Sequence, residues 1–290
     1  MDLVIALALQ ILYGVANLAL IGLGLAIIFG MMRVINLAHG EFLMLGGYTV
    51  VVATNNGVNV WIAMLVLAPL VVGLIGVVIE RVLIRFLYGR MIDTLLATWG
   101  LSLLLIGAVT MIFGPTTASS ISPPVGAIKL SDSLSVSGYE IFLIATTAAT
   151  LAGVWAILRH TKLGLLARGT MQAPDMAEAL GVSTSRIYML TFGLGSAVAG
   201  LAGGLLAPIT GVVPTIGAAY IAKAFITVIS GGAAILAGTL SAAGLLGVVN
   251  GVVATLTGPT LGEVALLLAA VVLLRLMPRG ITGRFFRRSL

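Results

Sequence analysis

The chain has 290 residues, of which 60% are hydrophobic and only 8% are charged, and its mean hydropathy is +1.21. Soluble domains carry about 25% charged residues, so the composition excludes an ordinary soluble fold and predicts a chain that spans a lipid bilayer. Cysteine is absent and histidine occurs twice, which excludes disulfides, a His-rich metal centre and a Cys–His nucleophile. We expect an all-α, polytopic transmembrane helix bundle in one domain, residues 1–290, with no metal and no cofactor.

Apolar segments follow one another along the whole chain. The first begins just after Met1 and Asp2, lacks the basic flank of a signal peptide and is too long for one, so it is interpreted as a span. The predicted segments are 3–30, 43–53, 60–79, 94–113, 139–158, 187–207, 218–229, 233–254 and 264–277.

The seventh and eighth segments belong to one apolar stretch, residues 218–257. As a single helix it would be about 60 Å long, about twice the thickness of the hydrocarbon core. Ser230-Gly231-Gly232 has the poorest helix propensity in the stretch. The sequence therefore predicts an interruption there and two shorter helices.

Basic residues predict the orientation of these segments. They cluster between the third and fourth segments, between the fifth and sixth, and in the tail, residues 278–290, which the positive-inside rule places in the cytoplasm. Nine spans satisfy this pattern, with the N-terminus and the loop 114–138 outside. Ten result if the first run contains two passes, and eight if the Gly231–Gly232 region is only re-entrant. We expect a multi-pass protein of the cell (inner) membrane that contacts the lipid bilayer and binds no nucleic acid.

A polar stretch, residues 33–41, separates the first two segments. If it were an ordinary cytoplasmic turn anchored by Arg33, the second span would be only about 20 Å long. The alternative is a polar break at membrane depth that lines a cavity. Interruptions in both halves of a transporter indicate a central binding site, although close helix packing through glycine explains the second one equally well. The predicted solute path consists of Asn36, His39, Gly40, Thr98, Trp99, Ser230, Gly231 and Gly232.

The loop 160–186 contains the signals of a short amphipathic helix. Pro174 suits a first helical turn, Asp175 and Glu178 suit its positive end, Gly181 suits its stop, and Ser183 suits the cap of the next helix. The helix is either a docking surface for a cytoplasmic partner or an interfacial helix that rests on lipid. Its predicted apolar face consists of Met176, Ala177 and Leu180.

Several runs resemble one family of membrane proteins. The run GLAIIFGMMRVINLAHGE at residues 24–41 resembles the signature of the branched-chain amino acid type of ABC (ATP-binding cassette) permease, and MAEALG at 176–181 resembles its coupling segment. The runs KAF at 223–225, GG at 231–232 and MPRG at 277–280 also fit, so the resemblance covers nearly the whole chain. The family includes urea importers, and RFLYGR at 85–90 and DTLLATWGLS at 93–102 look closer to that branch. AAILAG at 233–238 departs from the family's usual glycine-containing turn, which bears on the substrate.

The resemblance implies a permease subunit of an importer for a small polar nutrient, either urea or a short-chain amide, or a branched-chain amino acid. It also implies separate ATPase subunits, a second homologous permease subunit and an external solute-binding protein. The chain has no G-x-x-x-x-G-K-[ST] loop and is not expected to be an enzyme. The expected ATPase-coupling residues are Asp175, Glu178, Ala179, Leu180 and Gly181.

The alternative function is a self-sufficient secondary transporter or channel for a small polar solute. An ion-coupled carrier commonly keeps acidic groups at mid-membrane. The nine acidic residues are predicted to lie at segment ends or in loops, which argues against that alternative.

Overall fold

The computed structural model describes residues 2–115, 121–131, 134–232 and 234–285. Two short strands, β1 (Ala127–Ser131) and β2 (Leu134–Ser137), form an antiparallel hairpin. The helices are α1 (Asp2–Met32), α2 (His39–Asn55), α3 (Val60–Val82, with a π-helical part at Ala63–Leu67), α4 (Met91–Phe113), α5 (Gly138–His160), α6 (Lys162–Gln172), α7 (Pro174–Ala179), α8 (Thr184–Thr210), α9 (Gly217–Gly231), α10 (Ile235–Thr257), α11 (Pro259–Leu276) and α12 (Gly280–Phe285).

Each predicted apolar segment falls on a helix, which confirms the polytopic all-α bundle. Among the described residues, seven helices are long and apolar enough to cross a membrane, namely α1, α3, α4, α5, α8, α10 and α11. Helices α2 and α9 have 17 and 15 residues and reach only about 22–26 Å, less than the hydrocarbon thickness of about 30 Å. The exact number of nine spans therefore stays a prediction.

The structure contains some elements that the sequence did not predict. The predicted external loop carries the β1–β2 hairpin. A further helix, α6, precedes the short amphipathic helix. Thr161 caps the start of α6, because its Oγ1 accepts the N–H of Gly164 at 3.2 Å. The last span begins earlier than predicted because Gly258, at φ +118°, ends α10 and Pro259 starts α11 at once. The predicted basic tail begins with α12, and residues 286–290 of that tail lie outside the described residues.

The chain divides into two compact units, each built from segments distant in sequence. The terminal unit comprises Met1–Leu23, Pro123–Leu151 and Lys223–Leu290, and the central unit comprises Gly24–Ser122 and Ala152–Ala222. In the terminal unit, α1 packs closely on α10, where Gly247 and Gly251 leave room for Val15 and Ile11. Its core cluster contains Leu18, Ala19, Ala243, Leu246, Leu266 and Ala270.

Helix α8 is the centre of the central unit. A methyl group built on Gly203 would overlap the backbone of Leu43, and one built on Gly46 would overlap the backbone of Gly200. Helix α3 approaches the same helix through Gly76, which lies against Ser196. Small residues allow helices in lipid to pack this closely, and the contacts fix α2 and the polar break that precedes it.

Candidate substrate path and coupling segment

The polar break begins with a reversal of the chain at Arg33. Its φ is +54°, and it is the one non-glycine residue with positive φ among those described. Asn36 then forms an Asx turn, because its Oδ1 accepts the N–H of Ala38 at 3.1 Å and its carbonyl accepts the N–H of His39 at 3.3 Å. Helix α2 therefore starts at His39, and Asn36, His39 and Gly40 are all buried.

Thr98 ties α4 to this break. Its hydroxyl accepts the N–H of Leu37 at 3.1 Å and lies 3.3 Å from the carbonyl of Ile35, to which it can donate. Thr98 is fully buried. In an apolar environment, backbone groups released by a broken helix need such partners, so the side chain of one helix stabilises the irregular backbone between two others.

Glu41 is a buried acid that the sequence prediction left out of the solute path. Its carboxylate is hydrogen-bonded to Ser102 and lies against Gly217, the first residue of α9. Gly40 meets the same residue so closely that a methyl group there would overlap the Gly217 carbonyl. Among the described atoms, Glu41 Oε2 has no hydrogen-bond partner. The start of a helix carries partial positive charge, which favours a carboxylate.

The expectation that the acids lie in loops or at segment ends holds for Glu41, in the first turn of α2, and for Glu80, in the last turn of α3. Both are buried in the central unit. Tyr88 donates its hydroxyl to the carboxylate of Glu80. The signal for Glu41 was its place at the end of the polar stretch 33–41, just before the next apolar segment.

Trp99 is not brought to the break. Thr98 is buried, whereas Trp99, its neighbour on α4, has 55% of its surface exposed. Successive residues on a helix face different directions, so only one of the pair can line a given path.

The second predicted interruption lies in the terminal unit. Helix α9 ends at Gly231, and Gly232 has φ +86°. Thr282 donates to the Gly231 carbonyl at 2.6 Å and accepts the N–H of Ala234 at 3.3 Å, so α12 closes the break with hydrogen bonds. Ser230 is buried, and its hydroxyl has no hydrogen-bond partner among the described atoms. That this break meets the first one stays a prediction, because the two belong to different units.

The predicted short helix is present as α7, with Pro174 in its first turn. Gly181 has φ +83°, and its N–H bonds to the carbonyl of Glu178 at 2.9 Å, which ends the helix as expected. Ser183 occupies the cap position of α8 but makes no side-chain cap bond. Thr184 instead donates its hydroxyl to the Glu178 carboxylate.

The apolar face of α7 is split. Ala177 is buried, whereas Met176 and Leu180 are 62% and 78% exposed. Tyr188, in the second turn of α8, lies near the charged side chains of Glu178, Asp175 and Arg33. The short helix and the start of the polar break are therefore neighbours within the central unit.

Comparison with known proteins finds relatives among the permease proteins of branched-chain amino acid transport systems. The permease protein LivH of a high-affinity branched-chain amino acid transport system from Salmonella typhimurium is 29% identical, over 92% of this chain and 91% of that protein. The corresponding BraD from Pseudomonas aeruginosa is 28% identical, with the same coverage. The structure of PsaBC from Streptococcus pneumoniae in complex with Fab shares the fold with a TM-score of 0.51 at 16% identity, over 92% of this chain and 89% of that one.

Apolar spans, a polar break between α1 and α2, and a protruding amphipathic helix define a polytopic helical membrane permease. The sequence profile of the family described as branched-chain amino acid transport system, permease component, matches residues 7–279, and the chain belongs to this family. It is a transport subunit of the ABC type, not an enzyme, and a multi-pass protein of the inner membrane.

Proposed function

We propose that this chain forms the membrane path of an importer for a branched-chain amino acid, driven by separate ATPase subunits. The observation that carries the proposal is the family match over residues 7–279, supported by relatives that are named as permeases for that substrate. An external solute-binding protein would deliver the solute, and a second homologous permease chain would complete the path.

The path in the central unit is assigned to the buried polar groups around the first break. Asn36, His39, Gly40 and Thr98 hold that break together, and Glu41 and Ser102 add a hydrogen-bonded carboxylate beside it. Polar groups at membrane depth are costly and mark solute pathways. Ser230, Gly231 and Gly232 are proposed as the contribution of the terminal unit, where the buried Ser230 hydroxyl has no hydrogen-bond partner among the described atoms.

Coupling is assigned to α7 and the turn after it, that is to Asp175, Glu178, Ala179, Leu180 and Gly181. Exposed apolar side chains beside carboxylates form a surface that suits a protein partner. Binding of an ATPase to this surface is expected to affect Arg33 through Tyr188. This phenol lies near the carboxylates of α7 and near Arg33 at the start of the polar break. This arrangement requires the segment 160–186 and the tail from residue 278 to be cytoplasmic.

Urea is the competing substrate. The runs at residues 85–90 and 93–102 look closer to urea permeases, whereas the named relatives transport branched-chain amino acids according to their descriptions. Uptake of radiolabelled leucine and urea into proteoliposomes with the complete importer separates the two. We expect ATP-dependent leucine uptake and no ATP-dependent urea uptake, and the reverse result would contradict the proposed substrate.

A self-sufficient carrier is a second candidate because Glu41 is buried beside the break. Proteoliposomes that contain the permease chains without ATPase subunits test this candidate. A proton gradient alone would then drive leucine uptake in a carrier, whereas the proposed importer requires both the ATPase and ATP.

A further inference from the structure

The terminal unit contains a recess with polar side chains, and none of the residues that line it belongs to either predicted break. Its volume is about 190 Å³, and it is formed by α1, α9, α10 and α11. Most membrane-helix surfaces are apolar, yet this recess collects amide, phenol and charged side chains. The polar residues that line it are Gln10, Tyr13, Asn17, Lys223, Asn250 and Glu263.

An ion pair borders the recess. Lys223 Nζ lies 2.6 Å from Glu263 Oε1, and the two side chains are 32% and 58% exposed. An ammonium has three donors and a carboxylate has two oxygens, so this single contact leaves donors and acceptors available to a ligand.

The amide groups are also incompletely paired. Gln10 Oε1 accepts from the hydroxyl of Thr255 at 3.2 Å, which leaves the Gln10 amide nitrogen as a donor. Asn17 Oδ1 is buried and has no hydrogen-bond partner among the described atoms. A buried acceptor without a partner is costly, and a bound molecule with an N–H group would satisfy it.

The recess lies at the external end of the terminal unit. Glu263 is in the second turn of α11, near Pro259, whereas Arg275 is in the last turn and Arg279 follows the helix. The positive-inside rule places the arginine end in the cytoplasm. A solute that arrives from outside would therefore meet the recess early.

We propose that this recess is an external receiving site for the zwitterionic head of an amino acid, with Lys223 binding the carboxylate and Glu263 binding the ammonium. The assignment rests on the proposed function and extends it to a site and a chemical class. The opposite charges match a zwitterion and serve no purpose for neutral urea. The volume suits a small molecule, since an engineered cavity of about 150 Å³ holds benzene.

The test measures ligand binding to the purified permease–ATPase complex by saturation-transfer NMR, in the absence of ATP and of the solute-binding protein. The probes are leucine, leucinamide, which lacks the carboxylate, and 4-methylpentanoate, which lacks the ammonium. Lys223→Gln should weaken leucine binding about tenfold to a hundredfold and leave leucinamide binding unchanged. Glu263→Gln should weaken leucine similarly and leave 4-methylpentanoate unchanged. Lys129→Gln, in β1 of the same unit and outside the recess, is the matched control and should bind leucine as the wild type does.

Equal loss of all three probes in both variants would show that the ion pair only holds the helices together, which overturns the proposal. Binding of phosphoethanolamine without binding of leucine would make the recess a lipid-headgroup site and would also overturn it. ATP-driven leucine uptake by the same complex in proteoliposomes, with the solute-binding protein added, separates this inference from the proposed function. Absent uptake in the wild type contradicts the function, whereas normal uptake and unchanged leucine binding in Lys223→Gln contradict only the receiving site.

Discussion

The hydroxyl of Thr98 accepts the backbone N–H of Leu37 at 3.1 Å, across 61 positions of sequence. This bond joins the fourth helix to the irregular backbone between the first two. Its partner is a main-chain group that has left the helix and has no water to bind in lipid. Thr98 therefore links the stability of the break to the proposed solute path.

Thr98→Val keeps the shape of the side chain and removes the acceptor. We expect a loss of about 1–3 kcal/mol in stability, because the Leu37 N–H becomes a buried donor without a partner. Uptake of leucine should fall with it, whereas Thr98→Ser, which keeps the hydroxyl, should preserve both. Thermal unfolding of the purified complex and proteoliposome uptake measure the two effects. A valine variant with wild-type melting and uptake would show that the bond is dispensable.

Asn36 tests whether the break contributes more than backbone geometry. Asn36→Leu removes the acceptor for the Ala38 N–H and the amide nitrogen, whereas Asn36→Ser can still form a similar, weaker turn. We expect the leucine variant to lose most uptake while a substantial part of the complex still assembles, and the serine variant to assemble normally. Uptake normalised to the amount of complex is the measurement. Equal normalised uptake by Asn36→Leu and wild type would place the path elsewhere.

Gly181 tests the coupling segment. Its φ of +83° favours glycine, and a β-branched residue there costs about 1–2 kcal/mol, although no neighbour lies within 4 Å of an added Cβ. Gly181→Val should lower ATP hydrolysis and uptake together while the chain still inserts, and Gly181→Asn should be milder because asparagine tolerates this conformation. Gly169→Val, on α6 with equally open space and no positive φ, is the control. Wild-type ATP hydrolysis and uptake in Gly181→Val would contradict the assignment of this segment to ATPase coupling.

Topology can be tested with single cysteines because the chain has none. Lys129→Cys, on the hairpin, should react with an impermeant maleimide added outside intact cells. Met176→Cys, on the exposed face of α7, should react only after the membrane is opened. The opposite labelling pattern at either position would contradict the orientation predicted from the basic residues.

Much of the fold could be predicted because its signals are local. Apolar runs of membrane length indicate helices, and Pro174 and Gly181 mark the ends of α7 by their own backbone preferences. The polar break was visible as an interruption of an apolar pattern. These features depend on residues near one another in the chain, which one sequence displays directly.

The rest of the candidate site depends on contacts between distant segments. Glu41 is buried because Ser102 and Gly217 close over it, and Lys223 meets Glu263 across 40 positions. Trp99 was included with Thr98 although the helix turns the two in different directions. No local pattern gives the rotation of one helix against another. The sequence therefore indicated the polar break, but it did not indicate the burial of Glu41 or the recess that α11 helps to form.

A substitution at Gly231 can distinguish a packing role of the second break from a place in the solute path. A Cβ built there would lie 2.5 Å from the carbonyl of Gly238, so a larger side chain must push the start of α10 away from the end of α9. We expect Gly231→Leu to reduce the amount of assembled complex, since overpacking a tight contact costs about 1–3 kcal/mol or more, and to disturb the bond between Thr282 and the Gly231 carbonyl. Gly244→Leu, on α10 and with open space around its Cβ, is the control and should assemble normally. Size-exclusion chromatography and uptake per assembled complex are the measurements. Normal assembly with abolished uptake in Gly231→Leu would contradict the packing role and favour a place in the solute path.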